Sequence, residues 1–176
     1  MIIMGDEEYV KFVNKTYNKT CSRRAVLPHL VSIHVDKPSN IVDFGAGKDA
    51  IGTLYLRNLG YTVTAYDIGK NFVEGLHDPD AFRGEKHYSV MMASNVINVQ
   101  PDDMDIQETF LTALYYSDIF FFNYPSKPRK AGLSRKKIVE TARKFFDYVE
   151  PLGISGSSAG KSWKCGMLCK TGSEAK

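Results

Sequence analysis

Two spacings of apolar residues alternate along the chain, and together they predict most of its elements. Between Glu7 and Asn18, Tyr9, Val10, Phe12, Val13 and Tyr17 recur at the mixed three- and four-residue spacing of a helix face. Ser22 is placed to cap a second helix that carries Val26, Leu27, Leu30, Val31 and His34. Pro38-Ser39 ends that pattern, and Asn40 to Phe44 reads as a short buried strand running into Gly45-Ala46-Gly47. The next helix bears Ile51, Leu54, Tyr55 and Leu59 and stops at Gly60, a residue suited to the left-handed position after a helix end. Tyr61 to Ile68 is again β-rich, which completes a strand-helix-strand unit.

The alternation continues. Tyr88 to Ala93 and Ile119 to Phe122 are apolar runs of strand length, separated by a helix from Asp102 to Tyr116 bearing Met104, Ile106, Phe110, Leu111 and Leu114. Ser134 can cap a basic amphipathic helix carrying Ile138, Val139, Ala142, Phe145, Phe146 and Val149. A Gly/Ser-rich stretch over 153–160 then leads to a last strand, Trp163 to Leu168. The expected fold is a single α/β domain over residues 1–176, with N-terminal helices in 1–36, an α/β core in 37–170 and a frayed tail in 171–176. Its sheet is mostly parallel, with helices on both faces and an antiparallel last strand. Such sheets bind ligands beyond the carboxyl ends of their strands. Asp43 to Asp49, Asp67 to Gly69, Ser94 to Asn98 and Asn123 to Pro125 should therefore share one rim.

Composition narrows the class. Hydrophobic residues at 43% and charged residues at 24% of 176 exclude a disordered or collagen-like chain. The net charge of +3, from 23 basic and 20 acidic side chains, falls short of a dedicated nucleic-acid binder. Three cysteines, Cys21, Cys165 and Cys169, are an odd count with no second pair at zinc spacing, so neither a disulfide framework nor a metal site is expected. That usage fits a reducing cytoplasm. No apolar run approaches the roughly 18 residues of a membrane span, and Asp6-Glu7-Glu8 falls where a signal peptide needs an apolar core. A soluble cytoplasmic protein with no membrane partner is the expectation.

The chemistry concentrates at Asp43-Phe44-Gly45-Ala46-Gly47, where glycine lets the backbone turn tightly and approach a ligand that a Cβ would exclude. Asp43 stands two residues before the first glycine. Asp67 ends the next strand, where a carboxylate can accept both hydroxyls of a ribose. Gly45-x-Gly47-x-x-Ala50 also satisfies a nicotinamide-cofactor pattern, but that pattern has no use for Asp43, whose charge sits poorly beside a pyrophosphate. A cationic ligand with an amino group suits Asp43 better. Plainer readings stand beside these: a βα loop without a ligand, and Asp67 as a turn or cap residue.

With acid-x-Gly-x-Gly followed by an acid at the end of the second strand, the sequence resembles the class I S-adenosylmethionine-dependent methyltransferases. The resemblance implies that Asp43, Gly45, Ala46 and Gly47 hold the amino-acid part of the cofactor, and that Asp67, with Ile68 beside it, holds the ribose hydroxyls. It places Asp78 and Asp80 near the adenine amino group, although the family's third strand looks short or missing here. Ser94 and Asn95 would line the pocket, and Asn95, Asn123 and Tyr124 are the candidates for acting on the methyl acceptor. The acceptor is an unidentified small molecule or nucleic acid. Ser94-Asn95-Val96-Ile97 departs from the Asp/Asn-Pro-Pro-Tyr/Phe of base-amino methyltransferases, and no cysteine follows a proline, which demotes base methylation. No general base stands out: His29 and His34 read as packing residues, and His77 and His87 have no evident partner. None is needed if the protein mainly aligns acceptor and methyl group.

A basic cluster, Lys127, Arg129, Lys130, Arg135, Lys136 and Lys137, reads either as a solvated helix face or as phosphate contacts. The alternative function follows from it: a non-catalytic module of the same fold that binds a partner or nucleic acid through Lys127 to Lys137. Tyr17 to Thr20 is either a cover over the cofactor or a surface loop, and the sequence leaves the oligomeric state open.

Overall fold

The computed structural model describes residues 26–125, 133–152 and 161–167. The expected helix over Glu7 to Asn18, the Ser22 cap, the Tyr17 to Thr20 segment, Lys127 to Lys130, the 153–160 stretch, Cys21, Cys169 and the tail lie outside the described residues. In chain order the elements are α1 (Val26–His34), β1 (Asn40–Phe44), α2 (Ile51–Asn58), β2 (Thr62–Tyr66), β3 (Tyr88–Ala93), α3 (Asp103–Tyr116), β4 (Ser117–Tyr124), α4 (Arg135–Ala142), β5 (Tyr148–Leu152) and β6 (Lys161–Gly166). Short 3₁₀ turns lie at Gly69–Asn71 and Ile97–Val99.

Six strands form one sheet in the order β2-β1-β3-β4-β6-β5. The pairs from β2 to β4 are parallel, while β6 runs antiparallel between β4 and β5. The central strands are mostly apolar because both of their faces are covered. Ile41, Val90, Met92 and Phe121 point to one face, where they meet Leu27, Leu30, Val31 and Leu56 of α1 and α2. Their sequence neighbours Val42, Met91, Phe120 and Phe122 point to the other, against Ile106, Phe110, Ala113, Ile138 and Ala142 of α3 and α4. Phe110 makes edge or tilted contacts with the Phe120, Phe122, Phe145 and Phe146 rings, and Phe122 stacks on Trp163. Each such buried side chain contributes roughly 1.5–3 kcal/mol.

Two helix starts are capped by side chains, at Ser134 as expected and at Asp102, where the sequence pattern predicts the first residue of the helix. Asp102 Oδ1 accepts from Met104 N (2.9 Å) and Asp105 N (3.0 Å), and Ser134 Oγ accepts from Lys137 N (3.2 Å). The helix faces differ from expectation. In α3, Met104 and Leu111 are 70% and 52% exposed, and Thr109 and Ala113 take the sheet side. In α2, Ile51, Leu54 and Leu59 face outward while Thr53 and Leu56 are buried. Gly52 fixes that rotation, since a Cβ there would stand 2.9 Å from Pro28 Cγ and 3.2 Å from Asp43 Oδ2.

The basic helix is also shorter than the apolar spacing predicts. It ends at Ala142; Phe145 and Phe146 fold back through a turn, and Val149 belongs to strand β5 instead. The last strand starts earlier, at Lys161, and ends at Gly166. Beside β2, where a third strand looked short or missing, the chain over 69–87 touches the sheet through one parallel bridge, Ala65 to His77, with Asp78 N donating to Ala65 O at 2.8 Å.

Candidate functional site

Because β1, β2, β3 and β4 are parallel, their carboxyl ends open on the same rim. The segments that follow them, 45–49, 67–69, 94–98 and 125, are therefore brought together there as the sequence predicts.

The glycine turn is built first. Gly45 N and Ala46 N both donate to Tyr66 O, at 2.9 and 3.0 Å, which ties the turn to the end of β2. Gly45 and Gly47 have φ of 73° and 76°, a region L side chains disfavour. A Cβ on Gly45 would also stand 2.5 Å from Val96 Cγ2, so the segment after β3 closes directly over that glycine. Ala50 takes φ 42° as it enters α2.

Asp67 sits inside this turn. Its Oδ2 accepts from Gly47 N at 2.6 Å and its Oδ1 from Ile68 N at 2.8 Å. The Asn71 side chain also bonds this carboxylate, which leaves it room to accept a further hydroxyl. Burial raises this carboxyl above the ordinary range, although the Ile68 and Gly47 N–H groups pull the other way.

Asp43 lies deeper, 2% exposed beneath the turn, with Thr53 Oγ1 donating to its Oδ2 at 2.8 Å. Burial pushes its carboxyl up to about 7, against the Thr53 hydrogen bond and with help from the charge of Asp67. No cation figures among the groups that act on it. Two adjacent buried carboxylates, with no cation at Asp43 among the described residues, form an acceptor set that suits a ligand bringing a positive amino group and ribose hydroxyls.

Across the rim, Asn95 and Asn123 pair reciprocally: Asn123 Oδ1 accepts from Asn95 N (2.6 Å) and Asn123 Nδ2 donates to Asn95 Oδ1 (3.0 Å). Asn95 holds φ 60° and is exposed, so its own side-chain amide faces the space above the sheet. Ser94 beside it is half-buried.

Two other candidates are engaged elsewhere. Tyr124 is fully buried and its hydroxyl donates to Leu133 O at 2.8 Å, which takes it away from the rim. Asp78 Oδ2 receives Lys86 Nζ at 2.8 Å and Oδ1 receives Asp80 N at 2.8 Å. Partial burial acts to raise the Asp78 carboxyl, but the Lys86 ammonium outweighs it and holds the carboxyl below the ordinary range.

Sequence reasoning missed His77. It is buried at 4% exposure, accepts from Val73 N at Nδ1 (3.0 Å) and bonds Gly47 O through Nε2 (2.9 Å). Its partner is thirty positions away, and no local spacing announces it. His87, also read as lacking a partner, pairs with Asp118 at 2.9 Å on the surface. His29 meets the Tyr55 hydroxyl at 3.2 Å.

Set beside known proteins, residues 2–122 match the model of the family described as tellurite resistance protein TehB. No curated sequence matches the chain. Among solved structures, a TehB-like SAM-dependent methyltransferase from Corynebacterium glutamicum superposes with a TM-score of 0.61 at 12% identity, over 92% of this chain and 97% of that one. TehB from Haemophilus influenzae gives 0.55 at 14% identity, over 90% of this chain and 66% of that one. The 1,6-didemethyltoxoflavin-N1-methyltransferase of Burkholderia thailandensis, solved with S-adenosylhomocysteine, gives 0.61 at 14% identity, over 94% and 90%. The sheet with its antiparallel end is thus the Rossmann-like fold of class I methyltransferases. Among the described residues, no helix is long and apolar enough to cross a membrane.

Proposed function

From the premise that the chain belongs to the family of the tellurite resistance protein TehB, we propose that it binds S-adenosylmethionine at the Gly45–Gly47 rim and transfers the methyl group to a small-molecule or nucleic-acid acceptor. The observation that carries this reading is the Asp67 carboxylate set into the glycine turn, 2.6 Å from Gly47 N, with Asp43 buried behind it.

When bound, the cofactor supplies an activated methyl group. Asp67 receives the ribose hydroxyls beside the bonds it takes from Gly47 N and Ile68 N. Asp43 balances the amino group, and the positive charge brought to it relieves a carboxyl that burial has raised to about 7. Gly45 and Ala46 let the amino-acid part approach the backbone. Asp78 lies beyond the end of β2, where it faces the adenine end once Lys86 gives way. Ser94 and Asn95 close the opposite wall, and the exposed Asn95, held by Asn123, orients the acceptor. Alignment of acceptor and methyl group at near-attack distance is the main contribution of the protein in this reading.

The free thiol of Cys165 accords with a cytoplasmic setting. A second reading, a module that holds a partner or nucleic acid through the basic segment, draws on a groove of about 340 Å3 lined by Arg135, Lys136, Arg143 and one acid, Glu140, with Val139, Pro151 and Trp163.

Calorimetric titration with S-adenosylmethionine and S-adenosylhomocysteine, with NAD and ATP as controls, tests the proposal. Binding of the first two that is lost in Asp43→Ala supports it. Silence toward all four refutes it and leaves the partner-binding module. Salt dependence then sorts acceptors: a steep fall of affinity with salt points to nucleic acid, a flat response to a small molecule.

A further inference from the structure

We propose that His77 is a positioning residue that sets the Gly47 peptide, and through it Asp67, for the cofactor. The inference rests on the adenosylmethionine reading above.

Gly47 is the point where the turn meets Asp67, and its peptide groups are held from the same side of the molecule. Its N–H donates to Asp67 Oδ2 at 2.6 Å, and its carbonyl receives His77 Nε2 at 2.9 Å as well as Ala50 N at 3.1 Å. Both clamping residues belong to the β2 edge: Asp67 follows the strand and His77 bridges to Ala65. One ring form satisfies this arrangement. Nδ1 accepts from Val73 N, so it carries no proton; Gly47 O can only accept, so Nε2 must carry one. The Nε2 donor is thus aimed at the turn, and the burial of the ring, with the Phe72 ring 6.0 Å away, keeps water from substituting.

Removing the Nε2 donor leaves the Gly47 carbonyl on Ala50 alone and frees the glycine, at φ 76°, to rotate. The N–H then no longer fixes Asp67 Oδ2. The same carboxylate oxygens that receive the ribose are loosened. His77 touches neither ligand nor acceptor in this scheme and acts only through Gly47.

Two substitutions separate that role from plain packing. In His77→Gln the side-chain amide nitrogen stands where Nε2 stood and can still donate to Gly47 O. In His77→Asn the amide oxygen stands where Nδ1 stood and can still accept from Val73 N, but nothing reaches Gly47. Both lose the ring and should fall similarly in Tm. The expected result is S-adenosylhomocysteine affinity near wild type in the Gln variant and about tenfold weaker in the Asn variant, the scale of one lost donor to a buried carbonyl. Gly47 amide exchange, followed without ligand, should be fast in Asn and slow in Gln. Equal affinities and equal Gly47 exchange in the two variants overturn the inference, as does an affinity that follows Tm alone. A wild-type protein that binds no adenosyl ligand overturns the cofactor reading, and the ligand-free exchange rates still decide whether His77 holds the turn.

Discussion

Replacing Asp43 by Asn should stabilise the ligand-free protein in alkaline conditions while weakening its hold on the cofactor. Burial has raised this carboxyl from 3.8 to about 7. In between, the folded protein keeps a proton that the unfolded chain has released, so stability falls with pH by about 1.4 kcal/mol per unit. The contribution is fully present below 3.8 and is lost by the time the pH passes about 7. Raising the pH from about 5.5 to about 8.5 therefore withdraws about 2 kcal/mol from the wild type through this group. Asn does not titrate, and its amide oxygen can accept the Thr53 hydroxyl that Asp43 Oδ2 accepts at 2.8 Å. Urea unfolding of both proteins at the two pH values isolates the effect, because any constant difference in packing cancels. Relative to wild type, Asp43→Asn should gain about 2 kcal/mol between the acidic and the alkaline condition, and calorimetry should show weaker S-adenosylmethionine binding. Stability curves that run parallel with pH would refute the reasoning, since they would mean that Asp43 ionises in its pocket without the burial penalty on which its pairing with a cationic ligand depends.

Asp67→Asn puts an amide where Gly47 N and Ile68 N require an acceptor, and should weaken S-adenosylhomocysteine binding by more than tenfold on a calorimeter, about 1.4 kcal/mol or more. Gly45→Ala forces a Cβ into φ 73° and against Val96 Cγ2, so a loss of about 1–3 kcal/mol is expected in denaturant unfolding. Adding Val96→Ala should recover only the steric part; full recovery would show that the backbone angle is unimportant. Cys165 is fully buried and its thiol is pushed far up by burial, so it should resist a thiol reagent in the native protein and react at the rate of a free thiol after unfolding.

The part of the fold most legible in the sequence was the part where local pattern and tertiary role coincide. Ile41 to Phe44 is buried and so reads as a short core strand, and Gly45 and Gly47 carry the positive φ angles that glycine in a turn advertises. The cap at Ser134 is likewise local chemistry. Strand β5 escaped because Tyr148-Val149-Glu150-Pro151-Leu152 is half exposed at the sheet edge, and Val149 continues the helical spacing of the preceding residues. The buried face of α2 escaped because Gly52, invisible to apolar periodicity, decides it by close approach. At the site, Asp43 and Asp67 were readable from their distance to the glycines. His77 was not, because its partners are the carbonyl of Gly47 and the N–H of Val73, which belong to the backbone and leave no side-chain signature.

The place of β4 has a consequence for the order in which the chain can mature. Its Ile119-Phe120-Phe121-Phe122 run is uncharged and strand-forming, with one edge on β3 and the other on β6, the last of the described strands to be synthesised. Until Lys161–Gly166 arrives, a growing chain presents that second edge unpaired, together with the ring of Phe122 that Trp163 later covers. Nascent chains ending before residue 161 should therefore self-associate and depend on holding chaperones, although everything needed for the glycine turn has already been made.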